Sequence, residues 1–312
     1  MVSACWFTRL LLIPRQNEVY RNFSFPKNVD SETLAITTID NETIRCHLLH
    51  AHASRHSKPR LSRTLESRNS KISSCSISTS PSVPRAVVIM FHGNGYHYAY
   101  SGQQFVRLGC DALIVSYRGY GRSSGRASEK GLQRDAQAAL DHVLTDPVLS
   151  KYPIYLNGFI KILHGHSLGG ALALWLASRN PDKISGLILE NTFLSIPLVA
   201  KEIPYIRHFR LFIHQKWESY KRITKIPKSV AILMLSGKDD ELVPESHMLK
   251  LWELASTRGE NKKSTDDKSP SDGGGRKAED GRDLFKSISK GTHGMLLVII
   301  VFHRSPTKPS SY

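Results

Sequence analysis

The chain has 312 residues, of which 40% are hydrophobic, enough to build one large core. A formal net charge of +16 invites a polyanionic partner. However, much of the excess sits in residues 52–85, where Arg55, Lys58, Arg60, Arg63, Arg68, Lys71 and Arg85 face only Glu66, with no interleaved aromatics, so nucleic-acid binding is set aside. Cys5, Cys46, Cys75 and Cys110 are dispersed, without metal-ligand spacing, and point to a reducing compartment with no disulfide framework.

In chain order, residues 1–33 form an irregular N-terminal segment. Its apolar run, 4–13, contains Arg9 and falls short of the ~20 residues a membrane span needs. It reads equally as a terminus packed on the domain or as a membrane-surface anchor, and no clear signal-peptide pattern follows. Segments 34–39 and 44–49 predict a hairpin around Asp40, Asn41 and Glu42. The Ser/Arg-rich stretch 52–85 predicts a disordered insert. Strands are expected at 86–91 and 112–117, with Cys110 just ahead of the second as a small buried hydrophobe. A helix follows over 128–144, whose start is loosely placed because Ser128 lacks the acid of a capping box. Then come a strand at 161–164, a helix over 168–179, strands at 185–190 and 229–236, a helix over 245–255 and a last strand at 284–288. Residues 191–228, rich in aromatics, read as a cap, and the polar stretch 258–282 as a surface insert. The apolar run 295–302 is too short to span a bilayer, and 303–312 is a polar tail. Strands alternating with helices predict a mostly parallel central sheet with helices on both faces, here over residues 34–302.

One motif carries the chemistry. Gly165-His166-Ser167-Leu168-Gly169 lies between a predicted strand and a predicted helix, the context of a nucleophile elbow, which makes Ser167 the candidate nucleophile. Such an elbow belongs to the α/β-hydrolase fold, in which an acid and then a histidine follow the serine in sequence. After the strand at 229–236 stand Asp239 and Asp240; Asp240 is favoured and Asp239 is the alternative. Gly291-Thr292-His293-Gly294, just past the last strand, offers His293 as the base. His247 and His303 read as structural or surface residues, and His92, His164 and His166 as packing or hydrogen-bonding residues. The turn after 86–91, Phe91-His92-Gly93-Asn94-Gly95, supplies one backbone oxyanion donor at Asn94; the N–H of Leu168 is the other. This chemistry requires no metal and no organic cofactor.

Several strings extend the pattern: Ser116-Tyr117-Arg118-Gly119-Tyr120-Gly121-Arg122-Ser123, Ala127-Ser128-Glu129-Lys130-Gly131-Leu132, Glu190-Asn191-Thr192-Phe193-Leu194-Ser195-Ile196-Pro197 and Gly291-Thr292-His293. Together with the elbow they resemble the bud-emergence (Bem-like) serine hydrolases. The resemblance implies a membrane-associated esterase or acyl-thioesterase, including removal of palmitoyl groups from proteins. It maps the family's triad onto Ser167, Asp240 and His293. Its substrates would be acyl esters or thioesters, its surroundings a membrane surface or the cytoplasm. The chain departs from the family at its short apolar start, at residues 152–160, at the two inserts and after His293, where Gly294-Met295 replaces Asn-Asp and a closing helix. The last departure predicts a loosely held contact between His293 and Asp240. It also keeps open a second reading, a catalytically impaired member acting as a membrane-associated interaction protein.

Overall fold

The computed structural model describes Phe25 and residues 29–51, 86–94, 99–147, 149–151, 160–202, 213–259 and 282–294. The apolar start, the insert 52–85, Gly95, residues 152–159, Tyr205, Phe209 and Phe212 of the cap, most of the insert 258–282 and everything after Gly294 lie outside them.

The strands are β1 (Ser31–Thr37), β2 (Thr43–Leu49), β3 (Val87–Phe91), β4 (Asp111–Ser116), β5 (Lys161–His166), β6 (Gly186–Glu190), β7 (Ala231–Gly237) and β8 (Leu284–Ile288). They form one sheet in the order β1-β2-β4-β3-β5-β6-β7-β8. The β1–β2 and β2–β4 pairs are antiparallel and the rest parallel, giving the mostly parallel sheet of an α/β-hydrolase. The helices are α1 (Ala99–Arg107), α2 (Glu129–Thr145), α3 (Leu168–Arg179), α4 (Ile196–Glu202), α5 (Ser219–Ile223) and α6 (Glu245–Ser256).

β3 reads Val-Val-Ile-Met-Phe and is buried at every position, as a central strand covered on both faces must be. Its neighbours sort the core into two layers. Val87, Ile89, Phe91, Leu163, Leu187, Ile232 and Met234 pack in one cluster with α2, α3 and α6. Val88, Met90, Ile114 and Leu235 pack in the other with Phe105 of α1. The sequence reading omits α1. Its weak helix formers and Gly102 carry little intrinsic signal, and the helix is held by packing against β4 and β2.

Three expectations need correction. Ser128 does cap α2 without a capping box: its Oγ accepts the N–H of Gly131 at 3.1 Å. Cys110 is only half-buried, because it lies in the turn before β4, while Cys46 is the fully buried thiol, pushed up to about 12 by burial. Arg258, assigned to the polar insert, is 2% exposed. Its guanidinium donates to the carbonyls of Ala255 and Val230, at 2.9 Å each, and forms a bidentate pair with Asp283. Asp283 in turn accepts the N–H of Ile232 at 2.9 Å, so this ion pair closes the base of the last two strands.

The Arg118 of the Tyr-Arg-Gly-Tyr string is also buried. It donates to Asp40 at 2.7 and 2.9 Å and to Asp135 at 2.9 Å, tying the β1–β2 turn to α2. The guanidinium holds the Asp40 carboxyl well below its usual range, while burial pushes that of Asp135 up.

Candidate active site

Parallel pairing brings the C-terminal ends of β3, β5, β6, β7 and β8 to one edge of the sheet, where α/β folds place their ligands. Ser167 follows β5 directly and precedes α3, with φ 51° and ψ −118°. That backbone is rare for a residue with a side chain and costs about 1–3 kcal/mol, so its neighbours must hold it. They do: the Ser167 N–H donates to the Glu190 carbonyl at 2.9 Å, and its carbonyl accepts the Thr192 hydroxyl at 2.7 Å. Gly169 lies so close to the end of β3 that a Cβ there would stand 1.9 Å from the Phe91 carbonyl oxygen. This contact sets the first turn of α3, with Leu168, beside the loop that carries Asn94. The helix end contributes partial positive charge at the same place.

His293 sits in the loop after β8. Its Nδ1 is 2.8 and 3.0 Å from the two carboxylate oxygens of Asp240. The loose contact expected from the altered tail is therefore not what the chain adopts. The reason is that residues before Gly294 hold the loop. Asn191, 1% exposed, donates from Nδ2 to the carbonyls of Thr292 at 2.9 Å and His293 at 3.1 Å, while its Oδ1 accepts the Gly237 N–H at 2.8 Å. His166 donates from Nε2 to the same His293 carbonyl. Glu241 accepts the His293 N–H at 3.3 Å. Gly291 accepts the Asp239 N–H at 3.0 Å and donates to the Ile288 carbonyl at 3.1 Å.

Asp240 is itself fixed, since its Oδ1 accepts the N–H groups of Leu242 and Val243, both at 2.8 Å. Asp239, the alternative, has an exposed side chain and meets the loop only through its backbone. His247 is buried in α6 and accepts the Leu194 N–H at 3.2 Å. His164 pairs with Glu190 at 3.1 Å beneath the elbow. Burial, aided by the neighbouring His293, pushes the His166 imidazole down to about 4, so it is neutral near pH 7 and its one N–H serves the His293 carbonyl. His303 lies outside the described residues.

Asn94 is exposed at the end of the β3 loop, and the Tyr120 hydroxyl donates to its Oδ1 at 2.8 Å. The sequence reading misses the parts played by Asn191, Thr192, Tyr117 and Tyr120. All four stand in the strings that carry the family resemblance, and that was their only signal.

The C-terminal ends of the strands thus carry a strained serine, an imidazole paired to a carboxylate and two candidate backbone donors, the parts that acyl transfer requires; the hydrogen bonds of the His293 imidazole run to Asp240. Among the described residues no helix is long and apolar enough to cross a membrane.

Comparison with known proteins agrees with this fold. Residues 82–225 match the family described as serine aminopeptidase, S33. An uncharacterized membrane protein of Saccharomyces cerevisiae is 44% identical over 148 residues, covering 47% of this chain and 50% of that protein. Protein bem46 of Schizosaccharomyces pombe is 38% identical over 176 residues, covering 54% and 56%. The α/β-hydrolase domain-containing protein WAV2 of Arabidopsis thaliana is 38% identical over 167 residues, covering 49% and 51%. The chain thus spans about half the length of these curated relatives. Among solved structures, an α/β-hydrolase from Vibrio vulnificus aligns with a TM-score of 0.62 at 17% identity, over 97% of this chain and 92% of that one. An esterase of Pyrococcus furiosus aligns with a TM-score of 0.57 at 14% identity, over 90% and 89%. At such identities these two speak for the fold alone.

Proposed function

We propose, for a chain that belongs to the Bem-like α/β-hydrolases, that it cleaves carboxylic esters or thioesters of acyl chains through an acyl-enzyme on Ser167. The observation that carries this reading is the His293 to Asp240 contact of 2.8 Å, in a loop that His166, one residue before Ser167, also holds. In the mechanism, His293 accepts the Ser167 proton as Oγ attacks the acyl carbonyl carbon. The carbonyl oxygen becomes an oxyanion, received by the backbone N–H groups of Asn94 and Leu168. Collapse expels the alcohol or thiol, which takes the proton from His293, and leaves the acyl group on Ser167. Water, activated by the same imidazole, then releases the acid. Asp240 orients His293 and stabilises its cationic form without itself being protonated.

Long acyl chains, including palmitoyl groups on proteins, are the substrates favoured by the family resemblance, and a membrane surface is where such substrates reside. The S. cerevisiae relative's description as a membrane protein supports that setting. The alternative, an impaired member, rests on the altered stretch after His293; the 2.8 Å contact between His293 and Asp240 favours the active reading.

The test is direct. A fluorophosphonate probe should label the chain at Ser167, located by peptide mass spectrometry, and a panel of esters and thioesters from acetyl to palmitoyl should show turnover. A chain that is folded yet neither labelled nor active on any member of the panel overturns the proposal.

A further inference from the structure

We infer that Tyr120 is a positioning residue that fixes the oxyanion donor of Asn94; the inference rests on the hydrolase reading above. The loop leaving β3 carries no strand or helix over His92 and Gly93, and Asn94 stands in a turn. Contacts from two sides bear on where its N–H lies.

On one side stands the elbow. A Cβ on Gly93 would lie 2.7 Å from His166 Nδ1 and 3.3 Å from Ser167 Cβ, so the loop backbone rests against the nucleophile's own turn. On the other side stand two tyrosines. The Tyr117 hydroxyl donates to the His92 carbonyl at 2.8 Å, and its ring stacks on the His92 imidazole with centroids 4.1 Å apart. Tyr120 meets the same imidazole edge-on at 5.1 Å and donates its hydroxyl to Asn94 Oδ1 at 2.8 Å. Burial pushes both phenols up, so each keeps its proton and remains a donor across the working pH range.

The tyrosines are fixed in turn. The Tyr120 N–H donates to the Tyr117 carbonyl at 3.0 Å, and Gly119, with φ 78°, closes that turn by donating to the Ser124 carbonyl at 2.9 Å. Between them Arg118 is locked by Asp40 and Asp135. A chain of contacts therefore runs from the buried Arg118 pair, through Tyr120, to the residue whose N–H would receive the oxyanion. Such a donor is effective only if it is aimed before charge develops.

Removing an oxyanion donor outright costs roughly a hundred- to a thousandfold in kcat. Loosening its seat should cost a fraction of that, about tenfold. The experiment uses the full chain and a p-nitrophenyl acyl ester, with Tyr120→Phe, Asn94→Ala and the double variant. Asn94→Ala keeps the backbone N–H and removes only the side chain that Tyr120 holds; it is also a surface change that should not perturb folding. Each single variant should lower kcat about tenfold with KM within about twofold, and the double variant should fall no further than the singles. An unchanged kcat in either single variant, or losses that multiply in the double, would overturn the inference. If the unaltered chain is inactive and unlabelled at Ser167, the hydrolase reading fails and this inference falls with it. An active parent with an indifferent Tyr120→Phe removes this inference alone.

Discussion

His166 donates its Nε2–H to the carbonyl of His293, so the residue just before the proposed nucleophile grips the loop that carries the proposed base. The elbow thus contributes more than the serine. It also couples a buried imidazole to the placement of the imidazole proposed to do the chemistry.

That coupling predicts an acid sensitivity. The folded state holds His166 at about 4, against an ordinary value of 6.5, through burial and then the neighbouring His293. The folded chain thus resists a proton that the unfolded chain accepts. His166 contributes its full stability above about pH 6.5 and loses it progressively as pH falls toward 4. Melting temperature should drop over this window, and His166→Gln, which can still donate to the carbonyl, should flatten the drop. Parallel pH profiles for the two proteins would count against the assignment.

Replacing the proposed nucleophile gives the sharpest test of the reaction. Ser167→Ala should reduce ester turnover by roughly four to six decades and abolish fluorophosphonate labelling. Melting temperature should hold, because Ala keeps the Cβ and leaves the backbone strain at φ 51° unchanged.

Asn191 predicts a mixed phenotype. Asn191→Ala would leave the Gly237 N–H and the carbonyls of Thr292 and His293 without this partner. A buried group left unpaired costs about 1–3 kcal/mol. We expect a lower melting temperature and a kcat reduced by at least about tenfold, read from thermal denaturation and ester kinetics. Asn191→Asp should keep the Gly237 contact and still lose activity, because a carboxylate cannot donate to the two carbonyls.

The elbow, the strands and the pairing of Asp240 with His293 are legible because each rests on a local pattern: a glycine-bounded turn, an apolar run, an acid and a histidine each just after a strand. The devices that hold the site were not. Asn191 bridges to residues more than forty and one hundred positions away, and no local pattern reports such a pairing. The tail after His293 says little about the loop for the same reason, since the loop is held from the end of β6 and from the elbow. Arg258 reads as a surface residue because it opens a charged stretch; only the fold reveals its buried partner Asp283.

That buried pair makes a stability prediction. Arg258→Met should cost about 3–5 kcal/mol by leaving Asp283 buried without its partner. The double variant with Asp283→Leu should recover part of the loss, short of all of it because the Ile232 N–H loses its acceptor. Replacing residues 261–281 with a short linker, which spares both partners, should leave the urea unfolding midpoint nearly unchanged. A collapse of stability in that linker variant would show that the polar stretch carries structure the composition does not announce.

The two adjacent carboxylates provide the last discrimination. Asp240 lies 2.8 Å from His293 Nδ1 and receives the Leu242 and Val243 N–H groups, so its carboxylate is aimed by the backbone turn. Asp239 turns its side chain to solvent. Asp240→Asn preserves shape and an oxygen for the turn, but an amide can offer its N–H to Nδ1. That would favour the imidazole tautomer with its proton on the wrong nitrogen, as in the triad variants where this exchange costs about four decades in turnover. We therefore expect Asp240→Asn to lose three decades or more in kcat, by roughly the same logic, with little change in melting temperature. Asp239→Asn should alter neither. Equal losses from both variants would mean that the two carboxylates act through charge alone. A loss confined to Asp239→Asn would transfer the role to the alternative residue.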